Sequence, residues 1–425
     1  AGIGNNTIWG ANLSYKTDFM WLTNLLNKIP TVNATAPSTL NIKGEFAHLI
    51  PHQAATGSNK GSSYIDDFES TQSGIDLRSP YSWSLASTPY DPSGGLFPEA
   101  QLTNDVTYGK RRALLSWYFI DRMFTQRNSS LAPGYIKNDL DQLSNPYVRE
   151  VSYTEVFPGR ELAYGESSTI QTLNLSYYPT ERGPYNLDAE MINPDGSLMN
   201  PEKRWGGIVR KLDNTNFEQS NIEYIQFWMM DPFLEQKEGE VVEHEGGDLY
   251  FNLGEVSEDV LKDGHKSYEN GLPGDGGDQG VIKTAWGRVS NQTSMTYAFD
   301  TQSGSRINQD VGLNGLSTEQ EKNFETYSNF LTDLKNKLPA ETVAVMAQDQ
   351  FSPFNDPATD NYHFYRGYDY DEQKLSILER YKHYNGTEGN SLSQDEAKDG
   401  LYQSSRSVPD VEDINQDNTM NENER

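Results

Sequence analysis

The chain has 425 residues, with 62 acidic against 34 basic side chains and a net charge of −28. That charge excludes nucleic acid as a partner, because phosphates would be repelled, and it repels anionic membrane surfaces unless divalent cations screen them. The chain has no cysteine, which excludes a disulfide framework, a thiolate metal site and a cysteine nucleophile.

Aromatics make up 12 % of the chain and tyrosine alone contributes 25 residues. Together with many Gly, Asn and Ser, this favours an all-β extracytoplasmic protein. The length suits two or three units around a large core. The chain starts at Ala1 without a charged-then-apolar leader, as expected of a processed protein or a fragment. No run approaches the roughly 20 apolar residues of a transmembrane helix.

Residues 7–17 alternate, with Trp9, Ala11, Leu13 and Tyr15 on one face and Asn12, Ser14 and Lys16 on the other. Residues 39–49 repeat the pattern, Leu40, Ile42 and Phe46 against Asn41, Lys43 and Glu45. Each run has the length and alternation of an outer-membrane barrel strand; an ordinary half-buried hairpin has the same pattern. Between them Leu22, Leu25, Leu26 and Ile29 fall at helical spacing until Pro30 stops the helix. The Gly/Ser-rich stretch 57–63 reads as a domain boundary.

Short strands are expected at 82–87, 170–178, 207–212, 281–289 and 294–299, while 108–124 fits either helix or strand. Two further strands are expected at the centre. Residues 221–230 are apolar on both faces, with Ile225, Phe227 and Met229 one way and Tyr224, Trp228 and Met230 the other, so burial on both sides is expected. Residues 248–254 place Leu249, Phe251 and Leu253 on one face, and an acidic loop, 235–247, separates the two. These signals predict a mainly β protein: a jelly-roll-like β-sandwich over 57–300, preceded over 1–56 by a barrel-type strand pair with a short helix. Residues 301–340 are expected to hold a loop and one long helix, 318–338. Ser317 caps it, Gln320 completes a capping box, and Phe324, Tyr327, Leu331, Leu334 and Leu338 form its apolar face. Residues 342–347 read as another strand, within an acidic C-terminal segment, 341–425. No internal repeat is visible.

Few residues suggest chemistry. Asp66, Asp67 and Glu69 could form a glycosidase-like set, but three acids within four residues more often bind Ca²⁺ or cap a turn, and paired catalytic carboxylates come from separate strands. His48 and His52 are four apart, yet Pro51 between them argues against a helical zinc pair. No nucleophile elbow, phosphate loop or dinucleotide fingerprint is present, so no enzyme is expected. The sharpest motif is 413–424. It places Asp413, Asn415, Asp417, Thr419, Asn421 and Glu424 at positions 1, 3, 5, 7, 9 and 12 of an oxygen-ligand Ca²⁺ loop. Asn418 stands where such loops carry Gly, and Asn tolerates the left-handed conformation needed there. A flexible acidic tail is the plainer alternative. A weaker echo, 310–321, keeps Asp310, Asn314, Gly315 and Glu321 but has Gly312 where a ligand is expected; there a loop leading into the helix is the simpler reading. Ca²⁺ is the one cofactor these residues suggest.

Longer strings carry a family resemblance. SSYIDDFESTQSGIDLRSPYSWSLAS (62–87), YYPTERGPYN (177–186), PEKRWGGIVRKLDNTNFEQSNIEYIQFWMMDPF (201–233), GGDLYFNLGEVSEDVLKDGHKSYENGLP (246–273) and VPDVEDINQDNTMNENE (408–424) resemble the SprA family. Its members are outer-membrane translocon proteins of the type IX secretion system and gliding machinery of Bacteroidota. The resemblance runs in order along nearly the whole chain and implies a segment of a much longer protein. That protein would be a very large single-chain β-barrel passing folded cargo across the outer membrane. The implied partners are a PorV-like outer-membrane barrel protein, other secretion-system components and cargo proteins with a C-terminal sorting domain. The resemblance implies no catalytic residue. The residues from about 50 onward would form a lobe that shapes or gates the passage of cargo, on the extracellular face. The alternative is a Ca²⁺-dependent carbohydrate-binding module or surface adhesin, which requires a row of exposed aromatics on a concave face. A glycoside hydrolase would require two carboxylates facing each other at about 5–9.5 Å.

Overall fold

The computed structural model describes residues 7–30, 35–50, 74–90, 93–126, 128–159, 161–213, 216–217, 222, 224–231, 246–254, 256–292, 296–384 and 408–420. Asp66, Asp67, Glu69, Asn421, Glu424 and most of the acidic loop 235–247 lie outside them. The chain divides into two compact units, Ala1–Gly74 and Ile75–Arg425.

The first unit holds β1 (Thr7–Phe19), α1 (Met20–Leu26) and β2 (Ser38–Ile50). The strands pair antiparallel throughout, from Thr7 opposite Ile50 to Phe19 opposite Ser38. Because side chains alternate along a strand, this register collects Trp9, Ala11 and Tyr15 with His48, Phe46 and Ile42 on one face. Asn12, Ser14 and Lys16 meet Glu45, Lys43 and Asn41 on the other. The Trp9 and Phe46 rings lie 5.1 Å apart, and Asn12 Nδ2 donates to Glu45 at 3.3 Å. The turn region is fixed by Thr23, whose hydroxyl accepts from the Ser38 N–H at 2.7 Å. The apolar face is open: Leu13 is 62 % exposed and Phe46 53 %.

The second unit corrects the expected fold class. Over both units together helix accounts for 25 % and strand for 17 %, and the described residues form neither a sandwich nor a barrel. Its sheets each have two strands: β3 (Ser84–Leu85) with β8 (Ile208–Val209), β4 (Ala113–Tyr118) with β7 (Asn174–Arg182), β5 (Val151–Ser152) with β6 (Thr169–Ile170), and β9 (Val281–Lys283) with β10 (Arg288–Ser290). Short helices fill the connections: α2 (Arg122–Thr125), α3 (Gly134–Lys137), α4 (Leu140–Ser144), α5 (Tyr153–Val156) and α6 (Ser305–Gln309). Two more follow late in the chain, α10 (Tyr368–Glu372) and α11 (Ile377–Lys382).

The expected helix 318–338 is two helices, α7 (Thr318–Asn323) and α8 (Glu325–Lys337). Phe324 breaks it with extended backbone (φ −74°, ψ 135°), which turns Tyr327, Phe330 and Leu334 of α8 into the core. The Ser317–Gln320 capping box is present at the start of α7. Residues 342–346 of the run expected as a strand belong instead to α9 (Ala340–Met346), with Pro339 at its N-cap and Ala347 at its C-cap.

The runs expected at the centre of a sandwich lie at the surface. Residues 224–231 and 246–254 carry neither helix nor strand, and Trp228 is 70 % and Leu249 58 % exposed. The two runs approach each other through Phe227 and Phe251, with rings 5.5 Å apart. Alternating apolar residues reveal a surface that wants cover; they do not say what supplies it.

The real core is built elsewhere. Trp117, Tyr185, Trp286, Leu316, Tyr327 and Leu334 belong to one buried cluster, and Tyr118, Phe124, Ile136, Ile377 and Tyr381 to a second. Trp117 and Tyr118 are neighbours on β4 and point to opposite faces, so one strand feeds both clusters. Arg112, fully buried, ties loops to this strand by donating to the carbonyls of Pro184 (3.1 Å) and Val260 (3.2 Å). Tyr327 anchors α8: its hydroxyl donates to the Trp286 carbonyl at 3.0 Å and accepts from Asn314 Nδ2 at 3.1 Å. Replacing Tyr327 with Phe leaves both buried partners short of a bond, and a loss of about 1–3 kcal/mol in chemical denaturation is expected.

Candidate functional site

A net charge of −28 leaves many acids, and several of them are inside. Two act as staples. The Glu269 carboxylate accepts from the N–H groups of Val311 (3.0 Å) and Gly312 (2.7 Å) with one oxygen and from Asp410 N–H (2.6 Å) with the other. The Glu412 carboxylate accepts from Val260 N–H (2.9 Å) and Ser267 N–H (2.8 Å). A short antiparallel bridge, Tyr268 opposite Val411, runs between them. Segment 408–413 is thereby locked against 258–269. Burial raises both carboxyls well above the usual range, Glu269 further through Asp410 and Asp310, and Glu412 through Asp259 and Asp263.

A third group brings three acids together. Glu321 on α7 and Asp356 and Asp360 on the loop after α9 each offer a carboxylate oxygen, all within 4.8 Å of one another. All three are buried, Glu321 at 0 % and Asp360 at 2 % exposure. Glu321 accepts from Asn314 Nδ2 (2.7 Å) and Ala358 N–H (3.2 Å). Asp356 accepts from the N–H groups of Asp360 (3.3 Å) and Asn361 (3.2 Å). Neither oxygen of Asp360 receives a hydrogen bond; the Tyr185 hydroxyl nearby favours its charged form without reaching bonding geometry. Burial pushes Glu321 up to about 8, helped by Asp356, and Asp356 up to about 6. Asp360 is raised well above the ordinary value by burial and then by Glu321, Asp356 and Asp410.

The sequence-derived loop 413–424 is described as far as Met420. Within it Asp413 is buried and accepts from the N–H groups of Asp417 and Asn418, each at 3.1 Å, and from the Tyr297 hydroxyl at 2.8 Å. Asn415 Oδ1 accepts from Asp417 N–H (2.8 Å), and Asp417 accepts from Thr419 N–H (2.7 Å). Asn418 has φ +61°, the left-handed geometry that position 6 of such a loop demands. Asp413, Asn415 and Asp417 are thus drawn into one turn, with Asn421 and Glu424 outside the described residues. Glu258 donates no charge cheaply here: burial, then the charges of Asp413 and Asp417, push it up to about 7.

The weaker set 310–321 does not converge as a loop. Asp310 is paired with Arg306 at 2.9 Å, Asn314 presents its amide nitrogen to Glu321, and Glu321 faces Asp356 and Asp360 instead. Gly312 has φ +83°, and a Cβ there would meet Asp360 Oδ2 at 2.5 Å. The position that lacks a ligand in sequence is the one that makes room for a carboxylate from another segment. Sequence reading missed Asp356 and Asp360 because nothing in their spacing distinguishes them from a polar turn.

Comparison with known proteins adds a class. Residues 329–425 match a family described as motility related/secretion proteins. That family is the SprA N-terminal family, and the match supports a resemblance of this chain, as a segment, to SprA-type proteins. No curated protein matches the chain. Among the described residues, no helix is long and apolar enough to cross a membrane.

The raised carboxyls set a pH dependence. A group with a raised folded pKa binds more protons folded than unfolded, so its stabilisation is complete below its ordinary value of about 4 and fades as pH climbs through the folded one. Asp259 and Asp356, at about 6, Glu258, at about 7, and Glu321, at about 8, place that loss between pH 4 and 8. Thermal melting in EGTA is expected to give a lower Tm at pH 8 than at pH 5.5. A flat or rising profile would mean that these acids are ionised in the fold.

Proposed function

We propose that this chain is a non-enzymatic segment of an outer-membrane protein-secretion translocon. In this reading β1 and β2 are neighbouring barrel strands, and the chain from Ile75 onward forms a lobe that shapes or gates the passage of cargo. The motility and secretion family match sets the class. The observation that carries the finer reading is the β1–β2 pair. A two-stranded sheet does not hold itself in water, yet this one has 13 residues per strand and an uncovered apolar face opposite a polar one. A tilted membrane strand needs about 9–11 residues. Trp9 and Phe19 mark the two ends of the apolar face; the ten residue-to-residue steps between them, at about 3.4 Å each and tilted by about 40°, span roughly 26 Å, close to the apolar band of such barrels. Lipid on one side and further strands at the edges would complete it. The exposed runs 224–231 and 246–254 fit the same account, as apolar chain whose cover comes from outside the described residues.

Barrels of this kind keep short turns on the periplasmic side and long connections outside. The link from Phe19 to Ser38 is short, and the chain after Ile50 is long, which favours an extracellular lobe. A PorV-like barrel, other secretion components and cargo with a sorting domain are the partners of this reading. In it the 413–424 loop takes Ca²⁺ and fixes the end of the lobe. The surface-adhesin alternative rests on that loop alone.

Two measurements test this. Ser303, exposed in the lobe, replaced by Cys in producing cells should react with an impermeant maleimide while the cells are intact. Reaction only after the envelope is broken would put the lobe in the periplasm. Millimolar Ca²⁺ should raise the Tm of the parent chain over EGTA by more than it raises that of Asp413→Ala/Glu424→Gln. Equal shifts would reduce the loop to an acidic tail.

A further inference from the structure

We propose that Glu321, Asp356 and Asp360 form a second, internal divalent-cation site, suited to Ca²⁺ and independent of the C-terminal loop. Three buried carboxylates cannot remain together as bare charges, because desolvation and mutual repulsion both oppose it. Among the described residues no basic side chain forms an ion pair with any of the three; Lys322, next to Glu321 in sequence, turns outward to Glu319 at 2.7 Å. The separation suits one ion. Ca²⁺ binds oxygens at about 2.3–2.6 Å, so the oxygens of one shell lie at most about 5 Å apart, and the three oxygens here fall within 4.8 Å.

Asp360 supplies the independent observation. Both of its oxygens are buried and accept nothing, although nearly every buried polar atom finds a partner. Its position is also prepared from the opposite side, where Gly312 withholds a side chain that would occupy the same space. Asp360, alone of the three, also helps line a cavity of about 390 Å³, which puts one member of the cluster beside open space. Glu321 comes from α7, and Asp356 and Asp360 from the loop following α9, so a bound cation would reinforce a junction that the Ala358 N–H bond to Glu321 (3.2 Å) and the Thr318 hydroxyl bond to Asn361 (3.1 Å) already make.

The test uses the full chain carrying Asp417→Asn, which weakens the C-terminal loop as a competitor. Calorimetry with CaCl₂ should still detect one site. Saturation to about 100 times Kd should raise the Tm by roughly 4 °C or more over EGTA. Adding Asp360→Asn should abolish both responses while its melting in EGTA stays at or above that of the Asp417→Asn chain, since a buried repulsion is gone. Glu321→Gln, in the same background, should lose Ca²⁺ affinity at least tenfold. The proposal is overturned if the Asp417→Asn chain shows neither heat nor a Tm shift up to about 5 mM Ca²⁺, the weak end for extracellular Ca²⁺ modules. It is overturned equally if both added variants still bind with unchanged affinity. In either event the three acids share protons, not a metal.

Discussion

The fold of the larger unit hangs on a carboxylate, Glu269, which holds three backbone N–H groups from two remote segments. A buried carboxylate costs several kcal/mol to desolvate. Backbone donors aimed at it recover part of that cost and, in doing so, relieve loops of unpaired N–H groups. Glu412 repeats the arrangement, and Asp259 does the same locally for Asp263 and Gly264. Acids that a glance at composition assigns to the solvent are part of the interior.

This explains why the unit has so little regular structure for its size. In a sandwich the strand ladders satisfy the backbone, and side chains are free to be apolar. Here the side chains of acids, Asn314 and Arg112 satisfy it, so irregular segments can be buried at 257–263, 310–316 and 409–413 without forming sheets. The apolar clusters around Trp286 and Tyr381 fill the space between these polar ties. The triad at Glu321 differs from the staples because its three carboxylates lie within 4.8 Å of one another and both oxygens of Asp360 lack a donor.

What the sequence disclosed follows from range. The pairing of Thr7–Phe19 with Ser38–Ile50 rests on a period-2 pattern repeated at a short distance, and the Ser317–Gln320 box is local by nature; both were legible. The break at Phe324 was not, since the apolar spacing continues through it and only the packing of Tyr327 and Phe330 against a distant Trp286 demands it. The run 221–230 misled for the opposite reason: its pattern is strong, but burial depends on a neighbour the run does not encode. Asp356 and Asp360 become visible only when a fold brings α7 beside their loop. Of the C-terminal loop, the left-handed Asn418 and the gathering of Asp413 with Asp417 could be read in advance, whereas the Tyr297 hydroxyl could not.

The staples also dictate an order of events. Glu269 waits for Asp410 across 141 residues, and Ser267 for Glu412 across 145. Closing loops of that length is entropically slow and rewards the chain only at the end. Until residues 408–413 arrive, Glu269 and the backbone around Val260 and Ser267 lack their partners, and the segments they anchor have no reason to stay put. A nascent chain therefore fixes the shape of this unit only once residues 408–413 have been delivered.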